Sequence, residues 1–358
     1  MTPRAPFAER GGPLRGVVDL ATGCYPAFLF GGPVGRQVPV FHFHDETPGS
    51  LRPRLEYLAE NGYRTLTCDE VAAFVVSGRW PGPRSVMLTF DDAWASVYTV
   101  AFPLLREHGL RAVVFAIPGP IANGSSWFVT REQLAEMQQS GIVDVQSHTR
   151  WHVMMFAGRE IAGFVTPAFS DEPLLNRPVV SAALNGRLEF LEPDALGAPL
   201  YVRRSRMSDG RRFLPDGSAA ERCREVAARG GGADFFRQPG WRETLRRAAG
   251  DGGGRFETDE ERLHAIRAEL AESRQQLNEW LAPHEVRHLA LPWGIAGGLT
   301  RSLLKACGYE TAYAERPLRR RGVRQGDDRY QLMRLNGKFL PCLPGRPRRW
   351  FLTTVGAR

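Results

Sequence analysis

Ser85-Val86-Met87-Leu88-Thr89-Phe90-Asp91-Asp92-Ala93-Trp94 is an apolar run that ends in two adjacent carboxylates. It predicts a buried strand with chemistry at its carboxyl end. A second segment, Val143-Asp144-Val145-Gln146-Ser147-His148-Thr149-Arg150-Trp151-His152, has the same layout: an alternating strand, then two histidines four residues apart. Two carboxylates and two imidazoles at the ends of two strands form a donor set for a divalent metal, with one carboxylate left over as a base.

Working outward, strands and helices alternate on both sides of the first segment. Gln37–His44 predicts a buried strand, and Leu51, Leu55, Leu58 and Ala59 mark one face of a helix that Asn61-Gly62 stops. Tyr63–Leu66 predicts a short strand and Asp69–Phe74 the start of a helix. Val97, Val100, Ala101, Leu104 and Leu105 follow at helical spacing, then a strand over Arg111–Ile117 and a helix over Thr130–Ser140. After a long break the pattern resumes with a helix over Thr258–Leu281, a strand over Val286–Leu291, a helix over Leu299–Cys307, and strands at Tyr309–Tyr313 and Tyr330–Leu335. This rhythm predicts an α/β fold with a parallel sheet or barrel, whose sites gather at the carboxyl ends of the strands.

The break, residues 158–257, is rich in Gly, Pro and Arg, with Gly230-Gly231-Gly232 and Gly250-Asp251-Gly252-Gly253-Gly254 reading as loops. It is expected to be an insertion on the active-site side, a lid or specificity region. Phe235, Phe236 and Trp241 are apolar enough to pack. The expected organisation is an extension over 1–35, a catalytic domain over 36–345 interrupted by 158–257, and a basic tail over 346–358.

The chain has 358 residues, 43% of them hydrophobic. No apolar run approaches the ~20 residues of a membrane span. The start lacks the apolar core of a secretory signal, so a cytoplasmic protein is expected. Five scattered cysteines without a C-x-x-C pair argue against a disulfide framework or a cysteine zinc site. The net charge of +8 owes much to arginines in Arg316–Arg321 and Arg346–Arg349. Such a balance suits nucleic acid, anionic lipid or an anionic sugar carrier, but no nucleic-acid motif accompanies it, so no nucleic-acid partner is expected.

On a helical turn His148 and His152 would share a face and reach one ion. Asp91 or Asp92 alone would read as a helix cap. The pair together with the histidines reads as a site that leaves room for water and a substrate carbonyl. The turn Pro292-Trp293-Gly294 is placed to offer a backbone N–H, through Trp293, to a developing oxyanion.

The order of these segments resembles the polysaccharide deacetylase family, also called NodB-homology or carbohydrate esterase family 4. Thr89-Phe90-Asp91-Asp92-Ala93 resembles its T-F-D-D-G motif with Ala for Gly. His148-Thr149-Arg150-Trp151-His152 matches its H-[ST]-x-x-H motif, and Pro292-Trp293-Gly294 resembles its P-Y-G turn. Phe43-His44 and Asn61-Gly62-Tyr63 are similar to early segments of the branch acting on extracellular polysaccharides. The resemblance covers roughly 37–157 and 258–340. It implies an irregular (β/α) barrel that hydrolyses an N- or O-acetyl group on a saccharide. Asp91 would be the base, and Asp92, His148 and His152 would hold a divalent metal, Zn2+ before Co2+, Ni2+ or Mn2+.

The chain also departs from the family pattern. Ala290 and Leu291 stand where an arginine often orients the base, and Arg334 is the candidate replacement. The late histidine that often serves as general acid is not evident. His44 is a candidate for that pocket, with His42 and His288 behind it. Two other readings stay open at this level: hydrolysis of a formamide or cyclic amide on the same framework, and a catalytically silent saccharide-binding protein.

Overall fold

The computed structural model describes residues 26–182, 188–314, 321–350 and 354. The barrel elements begin with β1 (Val40–Phe43), α1 (Pro48–Glu60), β2 (Arg64–Thr65), α2 (Cys68–Ser77) and β3 (Ser85–Asp92). Next come a π-helical turn (Val97–Ala101) running into α3 (Phe102–Glu107), then β4 (Ala112–Ala116), the short α4 (Pro118–Ala122), α5 (Arg131–Gln139) and β5 (Val143–Ser147). The intervening segment carries β6 (Met154–Phe164), β7 (Val179–Ala182), β8 (Leu188–Phe190), β9 (Pro199–Ser205), β10 (Phe213–Pro215), α6 (Ser218–Arg229), α7 (Trp241–Ala249) and β11 (Gly254–Phe256). The chain resumes with α8 (Asp259–Leu281), β12 (His288–Ala290), α9 (Gly298–Leu304), β13 (Thr311–Tyr313) and β14 (Leu335–Asn336).

Local chemistry accounts for the helix starts. Thr47, Thr67 and Thr130 each accept the N–H three residues on, and the side chains of Ser50, Glu70 and Gln133 return the bond to the cap. Each such cap contributes about 1 kcal/mol. Proline at the first turns of α1 and α4 fits where no N–H is needed.

One parallel sheet runs in the order β13-β12-β5-β4-β3-β1-β14, with β2 also paired to β3. It is curled as an irregular half-barrel. Its two ends approach each other at a parallel bridge between Tyr313 and Leu332, where Leu332 N–H donates to Ala312 and Ala314 N–H to Leu332. That bridge and the two residues of β14 replace the longer last strand expected over 330–335. All eight residues of β3 are buried, as a strand covered on both faces requires. Val40, Met87, Val113, Phe115, Ala290, Tyr313 and Leu332 form one cluster with Val71, Phe74 and Val75 of α2.

Of the expected extension over 1–35, residues 1–25 lie outside the described residues. Phe28 and Leu29 are fully buried, and Phe28 meets Phe41 edge-on at 6.5 Å. Arg348 of the expected basic tail is a structural residue, since its guanidinium donates to the carbonyls of Phe28, Gly31 and Gly32. The arginines at 316, 319 and 320 lie outside the described residues.

Trp151–Arg267, with Gly297–Thr300, forms a compact unit of its own, wider than the expected 158–257. It is built from antiparallel pairs β6–β9, β7–β8 and β10–β11 and from α6 and α7. One core gathers Phe156, Val165, Tyr201 and Phe213, and a second gathers Phe164, Cys223, Phe235 and Leu245. Phe236 and Trp241 pack against the second. These aromatic residues therefore spend their faces on internal packing. A buried ion pair joins Arg206 to both oxygens of Glu257 at 2.6 and 2.9 Å.

Candidate active site

β3 ends in Asp91 and Asp92, and both carboxylates are buried. Successive strand residues point to opposite sides, so the two carboxylates meet different partners. Arg334 donates to both oxygens of Asp91, at 2.5 and 2.8 Å, and to Thr89 Oγ1 at 3.2 Å. Its guanidinium also lies over the Phe115 ring, 5.6 Å from the centroid. This two-pronged grip fixes the orientation of Asp91. Burial by itself raises the Asp91 pKa, but Arg334, His148 and His44 outweigh it and hold the carboxyl well below the usual range. Asp91 thus stays an anion, the form a base must have.

Asp92 takes a different set of partners. Trp94 Nε1 donates to its Oδ2 at 2.9 Å, and His148 Nε2 lies 3.4 Å from its Oδ1. The Nδ1–H of His148 donates to the Ala290 carbonyl at 2.7 Å. A carbonyl can only accept, so this bond selects the tautomer whose Nε2 carries the lone pair. One ligand atom each from Asp92, His148 and His152 lie within 4.8 Å of one another, and all three residues are buried. A hard carboxylate oxygen and two imidazole nitrogens that close together are the donor chemistry of a zinc-type site with open positions. The residues present fit such a metal.

The histidines do not reach this arrangement on a helical turn, as expected from their spacing. The chain over 148–153 is irregular, and Thr149 (φ 66°) and His152 (φ 54°) adopt left-handed backbone. Seven non-glycine residues have positive φ among the described residues; five are Asp92, Ala93, Thr149, His152 and Trp293. Each such residue costs of order 1–3 kcal/mol, and such strain concentrates where side-chain direction matters more than stability. Ala93 sits at φ 58°, which explains why glycine is the natural residue at this motif position.

His44 Nε2 lies 3.8 Å from Asp91 Oδ2, with the side chain 53% exposed. His42, His44 and Asp91 form a second close group. Trp293 stands in a tight turn directly after β12, where Gly294 N–H donates to Leu291 at 2.8 Å. His288 does not join the site. It is fully buried at the first residue of β12, with its ring between Thr311 and Asp69. Sequence reading missed Trp94 and the Ala290 carbonyl as supports of the ligands. Trp94 follows the paired carboxylates by two residues, but nothing in a sequence tells which way its indole turns.

A clamped carboxylate beside an Asp–His–His group, at the carboxyl ends of a curled parallel sheet, defines the class: an α/β half-barrel with a candidate metal centre. Residues 79–185 match the family described as Polysaccharide deacetylase. The Bacillus subtilis (strain 168) protein YxkH, whose name assigns it to the polysaccharide deacetylases, is 35% identical over 125 residues, 33% of this chain and 44% of its own length. A Staphylococcus epidermidis poly-beta-1,6-N-acetyl-D-glucosamine N-deacetylase is 32% identical over 108 residues, 29% of this chain and 36% of its own. The matches thus span less than half the length of these relatives. Among solved structures, the BpsB deacetylase domain from Bordetella bronchiseptica has a TM-score of 0.54 at 19% identity, covering 85% of this chain and 96% of that one. Streptococcus pyogenes deacetylase PplD in complex with acetate gives 0.50 at 16% identity, covering 85% and 93%. At these identities the structures establish the fold. Over residues 79–185 the chain is thus similar to the polysaccharide deacetylase family.

Proposed function

We propose that this protein is a metal-dependent deacetylase that hydrolyses the N-acetyl group of glucosamine residues in a saccharide chain. The observation that carries the reading is the division of labour at the end of β3: Asp91 is clamped by Arg334, while Asp92 faces His148. The relatives named for poly-beta-1,6-N-acetyl-D-glucosamine favour an N-acetylated glucosamine polymer as the substrate class.

Asp92, His148 and His152 would hold the metal, with Zn2+ the first choice for this donor set. When bound, it supplies Lewis acidity toward the amide carbonyl and toward water. The protein's own residues supply the rest. Asp91 accepts the proton of the attacking water, and Arg334 keeps it ionised and aimed. Trp293 offers its backbone N–H to the oxygen that gains charge. His44, half-exposed and 3.8 Å from Asp91, is placed to hand a proton to the leaving amine. Ala290 holds the His148 ring through its carbonyl.

The test measures acetate released from an N-acetylglucosamine oligomer by the metal-loaded protein, together with metal content of wild type and His148→Ala. One metal per chain in the wild type, none in the variant and acetate from the wild type alone are expected. No acetate from the metal-loaded wild type, or full occupancy in His148→Ala, would overturn the reading.

A further inference from the structure

We propose that Trp127 is a stacking platform for the sugar ring next to the one being deacetylated, so that the enzyme favours a chain over a single sugar. This rests on the glycan-deacetylase reading and extends it to a named binding position.

Trp127 is 65% exposed, more than any other large aromatic among the described residues. A single exposed hydrophobic residue needs no explanation in general. What distinguishes this one is its tether. Ala95 N–H donates to the Trp127 carbonyl at 2.9 Å, Trp94 and Phe128 form a β-bridge, and Val129 N–H donates to Ala93 at 2.9 Å. Residues 127–129 are therefore laced, residue by residue, to 93–95, the stretch that directly follows Asp92. The rings continue the lacing. Trp94 stacks on Phe128 at 4.9 Å and 26°, and meets Trp127 edge-on at 6.3 Å and 85°. Trp94 in turn donates to Asp92 at 2.9 Å. One indole separates the exposed ring from the candidate metal ligand.

This construction holds a flat apolar face in water at a fixed place beside the site. Its exposure forgoes the stabilisation of burying a large side chain, while its ordering is already complete before a ligand arrives. A pyranose ring is complementary to such a face. Its axial C–H groups form one apolar surface, and the electron-rich face of an indole attracts positively polarised C–H. The hydroxyls at the ring edge stay in water. A polymer threaded across the carboxyl ends of the strands would set one residue at Asp91 and Asp92 and a neighbour on Trp127.

The experiment uses the full chain, metal-loaded, in two arms. In the first, Asp91→Asn holds ligand without turnover, and calorimetry measures binding of a soluble β-1,6-linked N-acetylglucosamine pentamer. Adding Trp127→Ala should weaken binding about tenfold, whereas Trp127→Phe should keep it within about threefold of the parent. In the second arm, wild type and Trp127→Ala hydrolyse 4-nitrophenyl acetate, which is too small to span both positions. Their kcat/KM values should agree within about twofold. Equal losses in both arms would mark Trp127 as merely structural and overturn the proposal. Equal pentamer binding by all variants would overturn the platform alone. Pentamer bound by none of them, with the ester still hydrolysed, would overturn the glycan reading and the platform with it.

Discussion

Two acid–histidine groups sit at opposite ends of the same sheet and behave differently. At the carboxyl ends of the strands, His148 spends Nδ1 on a backbone carbonyl and turns Nε2 toward Asp92. At the amino-terminal ends of β12 and β13, His288 spends both ring nitrogens inside the protein, on Thr311 Oγ1 at 2.8 Å and Asp69 Oδ1 at 2.9 Å. The first group stands on left-handed backbone at Asp92 and Thr149; Asp69, His288 and Thr311 have no positive φ. Residue type is therefore a poor guide to ligand chemistry. What counts is at which end of the strands the group stands, and whether strain has been accepted to aim the side chain.

The sharpest way to break this comparison is to treat the two aspartates alike. Asp91→Asn is expected to keep its metal and lose turnover by about 10²–10⁴-fold. Asp69→Asn should leave kcat close to wild type. Acetate release and elemental analysis on both variants check this, and equal losses would erase the distinction between the two ends of the sheet. A smaller effect is expected at the support of the candidate ligand. Trp94→Phe removes the N–H to Asp92 and should weaken metal affinity by about 10–100-fold, read by competition with a chelator. Unchanged affinity would show that Asp92 needs no such support.

The smallest effect concerns stability at the structural pair. The hydrogen bond from His288 lowers the Asp69 pKa; burial opposes it, and the charge of Arg287 adds to the lowering. A carboxyl lowered in the folded state stabilises above its unfolded pKa, and that contribution is lost as pH falls through the folded value. Asp69→Ala should cost about 1 kcal/mol at neutral pH, since the acid is half-exposed but its partner is buried. Urea unfolding should show the gap holding at neutral pH and closing only below the ordinary aspartate range. A gap that widens toward acid would contradict the assignment.

Much of this could be read from the chain. The strand ending in Asp91-Asp92 and the histidine strand are marked by residue type and local pattern. Arg334 enters only through the family resemblance, as the candidate for an arginine absent at Ala290 and Leu291; in the structure it donates to both oxygens of Asp91. The rest depends on contacts distant in sequence. His288 reads equally as a pocket residue and as a packed strand histidine, because periodicity cannot say which end of a strand faces substrate. The left-handed turn at Thr149 replaced a helix because two side chains four residues apart can converge in more than one backbone geometry. Residues 158–257 looked loop-like because their short antiparallel strands pair across gaps. β6 with β9 and β10 with β11 are partners that no local window joins.

β5 finds its outer neighbour in β12, at Leu289 beside Ser147. On the ribosome those two strands emerge about 140 residues apart. At elongation rates of 5–20 residues per second, the nascent β5 waits roughly 7–28 s for its partner. During that interval it is a sheet edge with open N–H and C=O groups, next to apolar strands that invite pairing with another chain. Yield in a foreign host should therefore respond to chaperone supply and slowed translation more than to any change at the paired carboxylates that end β3.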